Sequence, residues 1–496
     1  MDLLAHLPVL QVVVPMLSAP IIVMLQPRGL AWAGATATSL VSFAIAVALT
    51  LAVLDGQAVD YAVGGWPAPF GITLMVDAFS ALMLLVVTGA SAAALIAAKP
   101  SIDQQIESAR QPLFYSAWLL ALAGLVGIVV AADAFNIFVF MEISSLASYI
   151  LIAGGPDRRA LPAVFKYLMM GTIGATFYLI GVGLIYMMTG TLNLADIDAR
   201  IGNVSDINPL FVAAGFITVG LALKAAVFPL HVWVPNAYTH APHMVTAFLA
   251  ACATKVALYV LLRFDYMVFQ GNLIEHVVQF SMFAMPLAIL GILVASAVAM
   301  FEGHLKRLLA SSSIAQIGYI LLGASFVSVA GLSSSAMHLF NHALAKGGLF
   351  LGVACIAYHY RDLRLSQLGG ASTRMPWTCA AIVVCGLSLI GVPGTAGFIS
   401  KWLLINAALQ SGSWGWLLVA IILASSLMAV VYIWRIIEAL YFQEPIAGEA
   451  KISEAPIQLL LVTGIVAILN IYFGLFPQVP LALADSSSVL LLEGVL

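Results

Sequence analysis

Residues 220–242 read GLALKAAVFPLHVWVPNAYTHAP, and this stretch decides how the chain folds. Its first part is apolar and helical in pattern, yet it contains Lys224, one turn before Pro229. A proline removes one backbone hydrogen bond and disfavours helix at the residue before it, so the helix must be interrupted here. Carbonyl groups freed by such a break can bind water or the lysine ammonium group. We therefore predict that Lys224 is hydrated without being exposed.

A second stretch, DAFNIFVFMEISSLASYIL at 133–151, places Glu142 halfway along another apolar segment. Burial favours the neutral form of a carboxyl group, and a nearby ammonium group favours the charged form. Glu142 next to a movable lysine would therefore be a switchable proton site. The alternative is a structural glutamate that hydrogen-bonds a neighbouring helix.

The composition is that of an integral membrane protein. Hydrophobic residues make up 63% of the 496 and charged residues only 8%, whereas soluble domains carry about 25% charged residues. The net charge of −3 indicates no nucleic-acid partner. Four cysteines lie in apolar segments without CxxC or Cys/His spacing, so we predict no metal centre and no cofactor. For Lys224, a membrane setting adds an alternative, since the side chain could reach along the helix to the membrane interface.

About fourteen segments are long enough to span a bilayer, which takes roughly 20 apolar residues. We predict an all-α, polytopic membrane protein in the lipid bilayer, with spans at 5–25, 30–54, 74–98, 112–132, 134–154, 162–190, 208–230, 241–263, 276–301, 305–329, 333–358, 376–406, 414–441 and 456–477.

Charge asymmetry between the loops predicts the orientation, because Lys and Arg gather on the cytoplasmic side. With the N-terminus outside, the outer loops hold only Arg200 and Arg263. The cytoplasmic loops and their flanks then hold Arg28, Lys99, Arg110, Arg158, Arg159, Lys306, Arg307, Arg361, Arg364, Arg374, Arg435 and Lys451. Both termini are therefore predicted to lie outside.

The interruption in the seventh span has a counterpart in the twelfth, GVPGTAGFISK at 391–401. Paired helices broken by Gly and Pro in two halves of a chain are typical of inverted-repeat transporters. We predict two inverted five-helix repeats with broken helices 7 and 12. The chain then divides into helices 1–3 at 1–111, a first repeat at 112–263, a second repeat at 264–441, and helix 14 with a tail at 442–496.

Further ionisable residues lie inside the predicted spans. Lys255 is in the middle of span eight, and His338, His342 and Lys346 follow one another at i, i+4 and i+8 on one helix face. We interpret these groups as a proton relay. A metal site is the alternative, although the two histidines lack a nearby carboxylate. Lys401 follows the second break and is either an exit gate or an interfacial anchor.

Three polar loop segments have weaker predictions. The connection 231–243 either lines an aqueous half-channel from the cytoplasm or forms an ordered loop among lipid headgroups. Asp133 and Asn136, at a helix start, are predicted to be caps or outer-mouth residues rather than members of the relay. His304, with Lys306 and Arg307, is predicted to anchor a short cytoplasmic loop, with proton uptake as a second interpretation.

Four motifs carry a resemblance to a known family: KAAVFPLHVWVPNAYTHAPHMVTAFLAACATKVALYVLLRF, FVFMEISSLASYIL, KRLLASSSIAQIGYILLG and LSLIGVPGTAGFISKW. From about residue 70 to 440 the chain resembles the antiporter-like membrane subunits of respiratory complex I and the Mrp cation/proton antiporters. In length it is most similar to the D-type subunit of Mrp-type Na+/H+ antiporters. A lysine rather than a glutamate at 401 argues against one complex I subunit type and leaves the quinone-proximal type open.

The resemblance implies roles for individual residues. It implies that Glu142 pairs with Lys224, and that Lys255 bridges to the histidines of span eleven. The row of proton-transfer groups that it implies is Glu142, Lys224, Lys255, His338, His342, Lys346 and Lys401. The chain departs from the family at Gln316, where some members carry histidine, and this argues against a relay role for span ten.

The resemblance also implies a function. The chain would be a subunit, with no catalytic site of its own, of a multi-subunit complex in the cell (inner) membrane of a prokaryote that exchanges protons for monovalent cations, with Na+ as the expected cation. The main rival is a proton-pumping subunit of a redox complex of the complex I or membrane-bound hydrogenase type, part of an NADH:quinone oxidoreductase-like translocase. A second rival is a scaffold whose buried charges only hold helices together. No cluster of oxygen ligands in the sequence identifies a sodium site.

Overall fold

A computed structural model describes residues 3–25, 28–269, 274–444 and 453–492. Lys451, and the last four residues of the predicted tail, lie outside this described part. Thirteen of the described helices are long and apolar enough to cross a membrane. The helices are α1 (Leu3–Met24), α2 (Arg28–Leu54), α3 (Ala78–Gln105), α4 (Gln111–Val130), α5 (Ala134–Ala153), α6 (Ala160–Thr189), α7 (Leu194–Ile201), α8 (Asn208–Ala225), α9 (Val234–His240), α10 (His243–Arg263), α11 (Ile274–Phe301), α12 (Leu305–Ala324), α13 (Val329–Ala357), α14 (Ala371–Arg374), α15 (Pro376–Ile390), α16 (Ala396–Gln410), α17 (Gly415–Tyr441), α18 (Ile457–Leu475) and α19 (Gln478–Leu492).

The first helix break lies in the seventh predicted span, which forms two helices rather than one. α8 ends at Ala225, and the next residue, Ala226, has a φ of 58°, a left-handed conformation that stops a helix. Helix resumes only in α9. The indole Nε1 of Trp233 donates to the carbonyl oxygen of Leu223 at 3.1 Å, so a neutral side chain occupies one of the carbonyls freed by the break.

The second break, in the twelfth predicted span, is closed by a charged side chain instead. α15 ends at Ile390, Gly391 follows with a φ of 91°, and α16 begins at Ala396. The Nζ atom of Lys401 donates to the carbonyl oxygens of Leu389 at 3.2 Å and Ile390 at 2.8 Å. An ammonium group at a helix C-terminus also interacts favourably with the helix dipole.

The predicted fold class is confirmed: the chain is a polytopic all-α membrane protein with breaks in the seventh and twelfth spans. Individual bounds differ from the prediction. The third span begins at residue 78 rather than 74 because residues Thr73–Val76 form a strand, β2, that pairs antiparallel with β1, Val59–Ala62. The tail contains a further helix, α19, which packs against α13 and α3.

Arg263, which the sequence analysis counted with the outer loops, is the last residue of α10, and its side chain is only 3% exposed. Its Nη2 atom lies 2.6 and 2.7 Å from the two carboxylate oxygens of Asp77, which also caps the start of α3. Ser80 and Tyr259 complete the cluster with their hydroxyl groups. A buried guanidinium group needs such partners. The pair therefore ties the ends of α3 and α10 together.

Replacing Asp77 with asparagine should destabilise the protein, because the mutation leaves the Arg263 charge buried without a counter-ion. Breaking a buried ion pair in this way costs about 3 kcal/mol. The measurement is the thermal unfolding midpoint of the detergent-solubilised protein, with Asp60→Asn, at an exposed position of β1, as the control. Equal midpoints for the two variants would contradict the structural role of the pair.

Candidate proton-transfer row

Glu142 and Lys224 are in contact. The Nζ atom of Lys224 lies 3.3 Å from Oε1 of Glu142 and 2.7 Å from the hydroxyl oxygen of Ser145. Glu142 and Ser145 are three residues apart on α5, so both side chains face α8. The Lys224 side chain is 6% exposed, which places it inside the protein rather than at a membrane interface.

The orientation of α5 is set at its first residue. Asp133 precedes the helix, and its Oδ1 atom accepts from the backbone N–H of Asn136 at 2.8 Å. This is the N-cap that the sequence predicted. Its position fixes the start of α5 and therefore the face on which Glu142 and Ser145 lie.

Glu142 also lies at the outer surface of the bundle, with 26% of its side chain exposed. Val139 and Leu146, one turn before and after it on α5, are exposed apolar residues. Glu142 therefore contacts Lys224 on one side and, on the other, whatever covers this face of the bundle.

Lys255 occupies the interior of α10 and is fully buried. Its Nζ atom donates to the carbonyl oxygen of Ala250 in the same helix. The resemblance implied a bridge to the histidines of α13, but the structure gives Lys255 no direct hydrogen bond to them in its described part, because the side chain turns back to its own helix. Its charge nevertheless lies close enough to His338 and His342 to interact with both.

The two histidines of α13 stack, with ring centroids 6.1 Å apart and ring planes at 15°. His338 has a partner on each ring nitrogen: Ser400 Oγ at 2.8 Å and Gln316 Oε1 at 3.0 Å. Both ring nitrogens of His342 are buried and have no hydrogen-bond partner among the described residues. Buried polar atoms are almost always hydrogen-bonded to protein or water. Within the described residues, His342 therefore differs from His338 in having no group bonded to either ring nitrogen.

Lys346 and Lys401 continue the row. Lys346 is fully buried, and its Nζ atom donates to the Leu309 carbonyl oxygen at 2.7 Å and to the Ser312 hydroxyl. Lys401, besides closing the break in the twelfth span, donates to the Ser426 hydroxyl at 3.1 Å. These partners are neutral oxygen atoms, which can accept from an ammonium group and leave a neutral amine without a clash of charges.

Three residues of α12 line the row, and the sequence did not assign them. Ser312 contacts Lys346, Gln316 contacts His338, and the ring of Tyr319 lies under the Lys401 ammonium group at 4.9 Å from centroid to Nζ. Gln316 argued against a relay role for span ten. The structure shows that its amide oxygen contacts His338, and the relay role stays a prediction to be tested in transport. The signal was present in the sequence as polar residues at spacings of four and three on an apolar helix.

Lys306, which was predicted with His304 and Arg307 to anchor a short cytoplasmic loop, is buried in the structure. It is 1% exposed, and its Nζ atom donates to the Ala241 carbonyl oxygen at 2.7 Å. The polar connection 231–243 is ordered and contains α9. At the end of α9, Nδ1 of His240 lies 2.8 Å from Oδ2 of Asp157.

The alternative of a metal site gains no support from the geometry. In the part of the chain that the structure describes, no three or more His, Cys, Asp or Glu side chains are grouped so as to hold a metal ion. All four cysteines are buried and unpaired, as core residues are.

A many-helix bundle with two broken helices and a row of buried lysines and histidines is the architecture of an ion-translocating membrane subunit. A family model described as NADH:quinone oxidoreductase/Mrp antiporter, transmembrane, matches residues 131–429. The chain belongs to this family, as its motifs predicted.

The relatives include subunits of a redox complex and of a cation/proton antiporter. The N-type subunit of the NADH-quinone oxidoreductase of Desulforudis audaxviator is 41% identical over 88% of this chain and 87% of its own length. The D-type subunit of the Na(+)/H(+) antiporter of Alkalihalophilus pseudofirmus is 30% identical over 75% of this chain and 74% of its own length. Among solved structures, a chain of the Mrp complex from Dietzia sp. DQ12-45-1b superposes with a TM-score of 0.91 at 26% identity, over 100% of this chain and 98% of that one.

Proposed function

We propose that this chain is the proton-translocating subunit of a multi-subunit antiporter that exchanges protons for a monovalent cation, with Na+ as the expected cation. One observation carries the proposal. Of the four buried lysines in the row, only Lys224 has a carboxylate within 4 Å in the described part of the chain. A permanent buried charge without a counter-ion costs several kcal/mol. Lysines that exchange protons need not keep such a charge.

The first step of the proposed mechanism is at Glu142 and Lys224. While the two are in contact, the carboxylate stabilises the protonated lysine. When Glu142 moves away, Ser145 remains as the partner, and a hydroxyl oxygen accepts from an ammonium group without compensating its charge. Lys224 then releases its proton towards Lys255.

The proton then crosses from the first repeat to the second. Lys255 passes it through His342 to His338 and Lys346, and Lys401 releases it. Ser312 and Gln316 of α12 lie beside Lys346 and His338 and would help pass the proton between them. Hydroxyl and amide groups can each both accept and donate a hydrogen bond. The seven groups of the row stay predictions until each is tested in transport.

Partner subunits are part of the proposal. A partly exposed carboxylate in the middle of a membrane is costly unless a polar group faces it. We infer that another subunit covers the face of α5 that carries Glu142. The movement of that subunit, or an ion bound to it, would then control the Glu142–Lys224 contact. The cation path is proposed to lie with such a partner.

We also propose that the chain lies in the cell membrane with both termini outside. Cysteine accessibility tests this orientation, since the four native cysteines are buried. Gln57→Cys, in the connection after α2, should react with an impermeant maleimide on intact cells. Glu107→Cys, after α3, should react only after the cells are opened. The reverse pattern would overturn the proposed orientation.

The experiment that tests the function is cation-dependent proton movement by the assembled complex. Everted membrane vesicles from cells lacking other antiporters would be energised to form a pH gradient, and Na+, K+ and Li+ added in turn. The expected result is a collapse of the gradient by Na+ at concentrations where K+ has little effect. No response to any of the three cations, with the complex present, would overturn the proposal.

A second candidate function is proton pumping driven by a redox reaction on partner subunits. The relative named as a subunit of an NADH-quinone oxidoreductase, at 41% identity, favours this candidate. Its expected result, in the same everted vesicles, is a proton gradient that the complex forms during electron transfer and that added cations do not collapse. The two candidates therefore give opposite results in the same vesicles.

A further inference from the structure

Beside the ends of α5, α9 and α11, a cluster of ionisable side chains gathers from both repeats. Asp157 and His240 pair at 2.8 Å between the α5–α6 connection and α9. His243 begins α10, where its backbone N–H donates to Oε1 of Gln105 at 3.2 Å. His304 and Lys306 begin α12, and the charges of His243, His304 and Lys306 are close enough to interact. On the proposed orientation, this is the cytoplasmic end of the bundle.

Lys306 is the unusual member of the cluster. It is buried, it lies in the first turn of a helix, and the Ala241 carbonyl is its partner. The helix dipole is positive at this end, so it disfavours an ammonium group there. Among the described residues, no carboxylate lies within 4 Å of its Nζ atom, although Asp157 is near enough for its charge to be felt. Nothing in this setting requires Lys306 to hold a permanent charge.

Its neighbour Arg307 is the opposite case. The Arg307 side chain is 50% exposed, and its Nε atom lies 3.2 Å from Glu302. Arg307 therefore forms an ordinary solvated ion pair with Glu302, and this pair can anchor the connection between α11 and α12. Arg307 can therefore perform the anchoring role that was predicted for this loop. Anchoring does not explain why Lys306 is buried.

Two half-buried histidines lie near enough to Lys306 for their charges to interact with it. His243 and His304 are half-buried, and the Nδ1 atom of each is buried without a hydrogen-bond partner in the described part of the chain. Burial, and then the charge of Lys306, lower the pKa of His304 below its usual value, while Asp362 and Glu302 act in the opposite direction. A neutral imidazole can accept a proton on one nitrogen and donate from the other.

The helix that carries Lys306, α12, also contacts Lys346 and His338 of the row. Leu309, three residues further along α12, provides the carbonyl that accepts from Lys346 Nζ at 2.7 Å. Three residues of helix rise about 4.5 Å. Ser312 and Gln316 then continue along α12 to Lys346 and His338. One helix therefore joins the buried lysine at the cytoplasmic end to the second half of the row.

We propose that Lys306 is a proton-transfer residue that takes protons from the cytoplasm through His243 and His304 and passes them along α12 to Lys346. This inference rests on the proposed proton transport. It differs from the predicted uptake by the 231–243 connection alone, because it adds a second entry, in the second repeat. Release at Lys401 still depends on proton movement along Glu142, Lys224 and Lys255. One proton is exchanged at each step: the imidazole releases it, the amine of Lys306 accepts it, and Lys346 receives it in turn.

Several fixed charges surround this cluster and set its response to pH. The groups that face it from the adjoining connections are Asp157, Arg159, His240, Glu302, Arg307, Asp362 and Arg364. Although burial raises the pKa of Asp157, hydrogen bonds from Arg159 and His240 lower it to about 2. Asp157 therefore stays ionised above about pH 4 and attracts protons to the cluster throughout the range of a transport assay.

The test compares Lys306→Gln and Lys306→Arg with Arg307→Gln in the assembled complex. Everted vesicles expose the cytoplasmic face to the medium. When they are loaded with Na+ and diluted into Na+-free medium, the outflow of Na+ drives protons from the medium into the lumen, so the pH of the medium sets the proton supply to Lys306. Both Lys306 variants should reduce exchange at least tenfold at pH 8.5 and much less at pH 6.5, since uptake limits the rate when protons are scarce. Arginine keeps the charge but does not release a proton in proteins. Arg307→Gln removes an exposed charge near the cluster but no proton carrier, so it should change the pH profile much less than either Lys306 variant.

Exchange by Lys306→Arg at the wild-type rate, with an unchanged pH profile, would overturn the inference and leave Lys306 a structural link to Ala241. Should Lys306→Arg fail to assemble, Lys306→Gln alone decides: an unshifted pH profile overturns the inference and an acid shift supports it. Lys224→Ala in the same vesicles distinguishes failure of the proposed function from failure of the inference about Lys306. If Lys224→Ala is inactive while both Lys306 variants are normal, the proposed function stands and only the inference falls.

Discussion

Lys224→Ala should abolish cation/proton exchange, with a loss of at least a hundredfold, while the complex still assembles. Among the four buried lysines of the row, Lys224 is the one that contacts a carboxylate in the described part of the chain, with its Nζ atom 3.3 Å from Oε1 of Glu142. Alanine at this position removes the amine that would carry the proton, and with it the positive charge that pairs with Glu142. The measurement is the initial rate of gradient collapse in everted vesicles that contain equal amounts of complex.

Lys166→Ala is the matched control for this prediction. Lys166 is an exposed lysine on α6, the helix next to α5 along the chain, and the substitution removes the same side chain. It should leave exchange within about twofold of wild type. Full exchange by Lys224→Ala would remove Lys224 from the proton path. Loss of assembled complex would favour the scaffold interpretation of the buried charges.

Lys401→Met should also stop exchange without unfolding the protein. The Lys401 ammonium group closes the break between α15 and α16 by binding two carbonyl oxygens. Methionine leaves these carbonyls to water, at a cost of about 1–3 kcal/mol, but it also removes a buried charge, and the relief of desolvation offsets that cost. The expected result is a thermal midpoint close to wild type and exchange reduced at least fiftyfold.

Lys401→Arg separates a structural role of Lys401 from a proton-transfer role. Arginine can still donate to both carbonyls, so a structural role alone predicts recovered exchange. Proton transfer predicts that the variant folds and stays inactive, because the guanidinium group keeps its proton. Lys99→Ala, at an exposed position paired with Asp103, is the control for the removal of a lysine. Active Lys401→Arg would contradict a proton-transfer role at this position.

Local chemistry made much of the fold predictable. Apolar length indicated the spans, and the Pro229 and Gly391 breaks followed from what proline and glycine do to a helix. The i, i+4, i+8 spacing of His338, His342 and Lys346 predicted their common face. Each of these predictions needed only residues close together in the chain.

The contacts that could not be predicted join distant segments. Arg263 and Asp77 are 186 residues apart, and nothing in the local pattern distinguishes a buried arginine at a helix end from an exposed one. Lys306 and Ala241 are 65 residues apart, and Lys306 has the loop-flanking position that usually indicates an anchor. Their burial depends on how the repeats pack. The Glu142–Lys224 contact was predicted only from the family resemblance.

The site was predicted as a set of charged residues, and the structure adds the neutral groups around them. Ser145, Ser312, Gln316 and Tyr319 each contact one member of the row. Serines and glutamines are common in membrane helices for structural reasons, so composition alone does not single these positions out. What distinguishes these four residues is that each contacts a lysine or histidine of the row.

The most direct test of the central claim is proton flux through the assembled complex with Lys255 replaced by methionine. Lys255 is fully buried between the first pair and the groups of α13, so a path along the row has to pass it. The flux would be driven by a sodium gradient in proteoliposomes, and wild type and Lys255→Met compared at equal protein. We expect at least a tenfold loss of flux in the variant, with assembly unchanged. Flux equal to wild type would show that protons do not travel along this row.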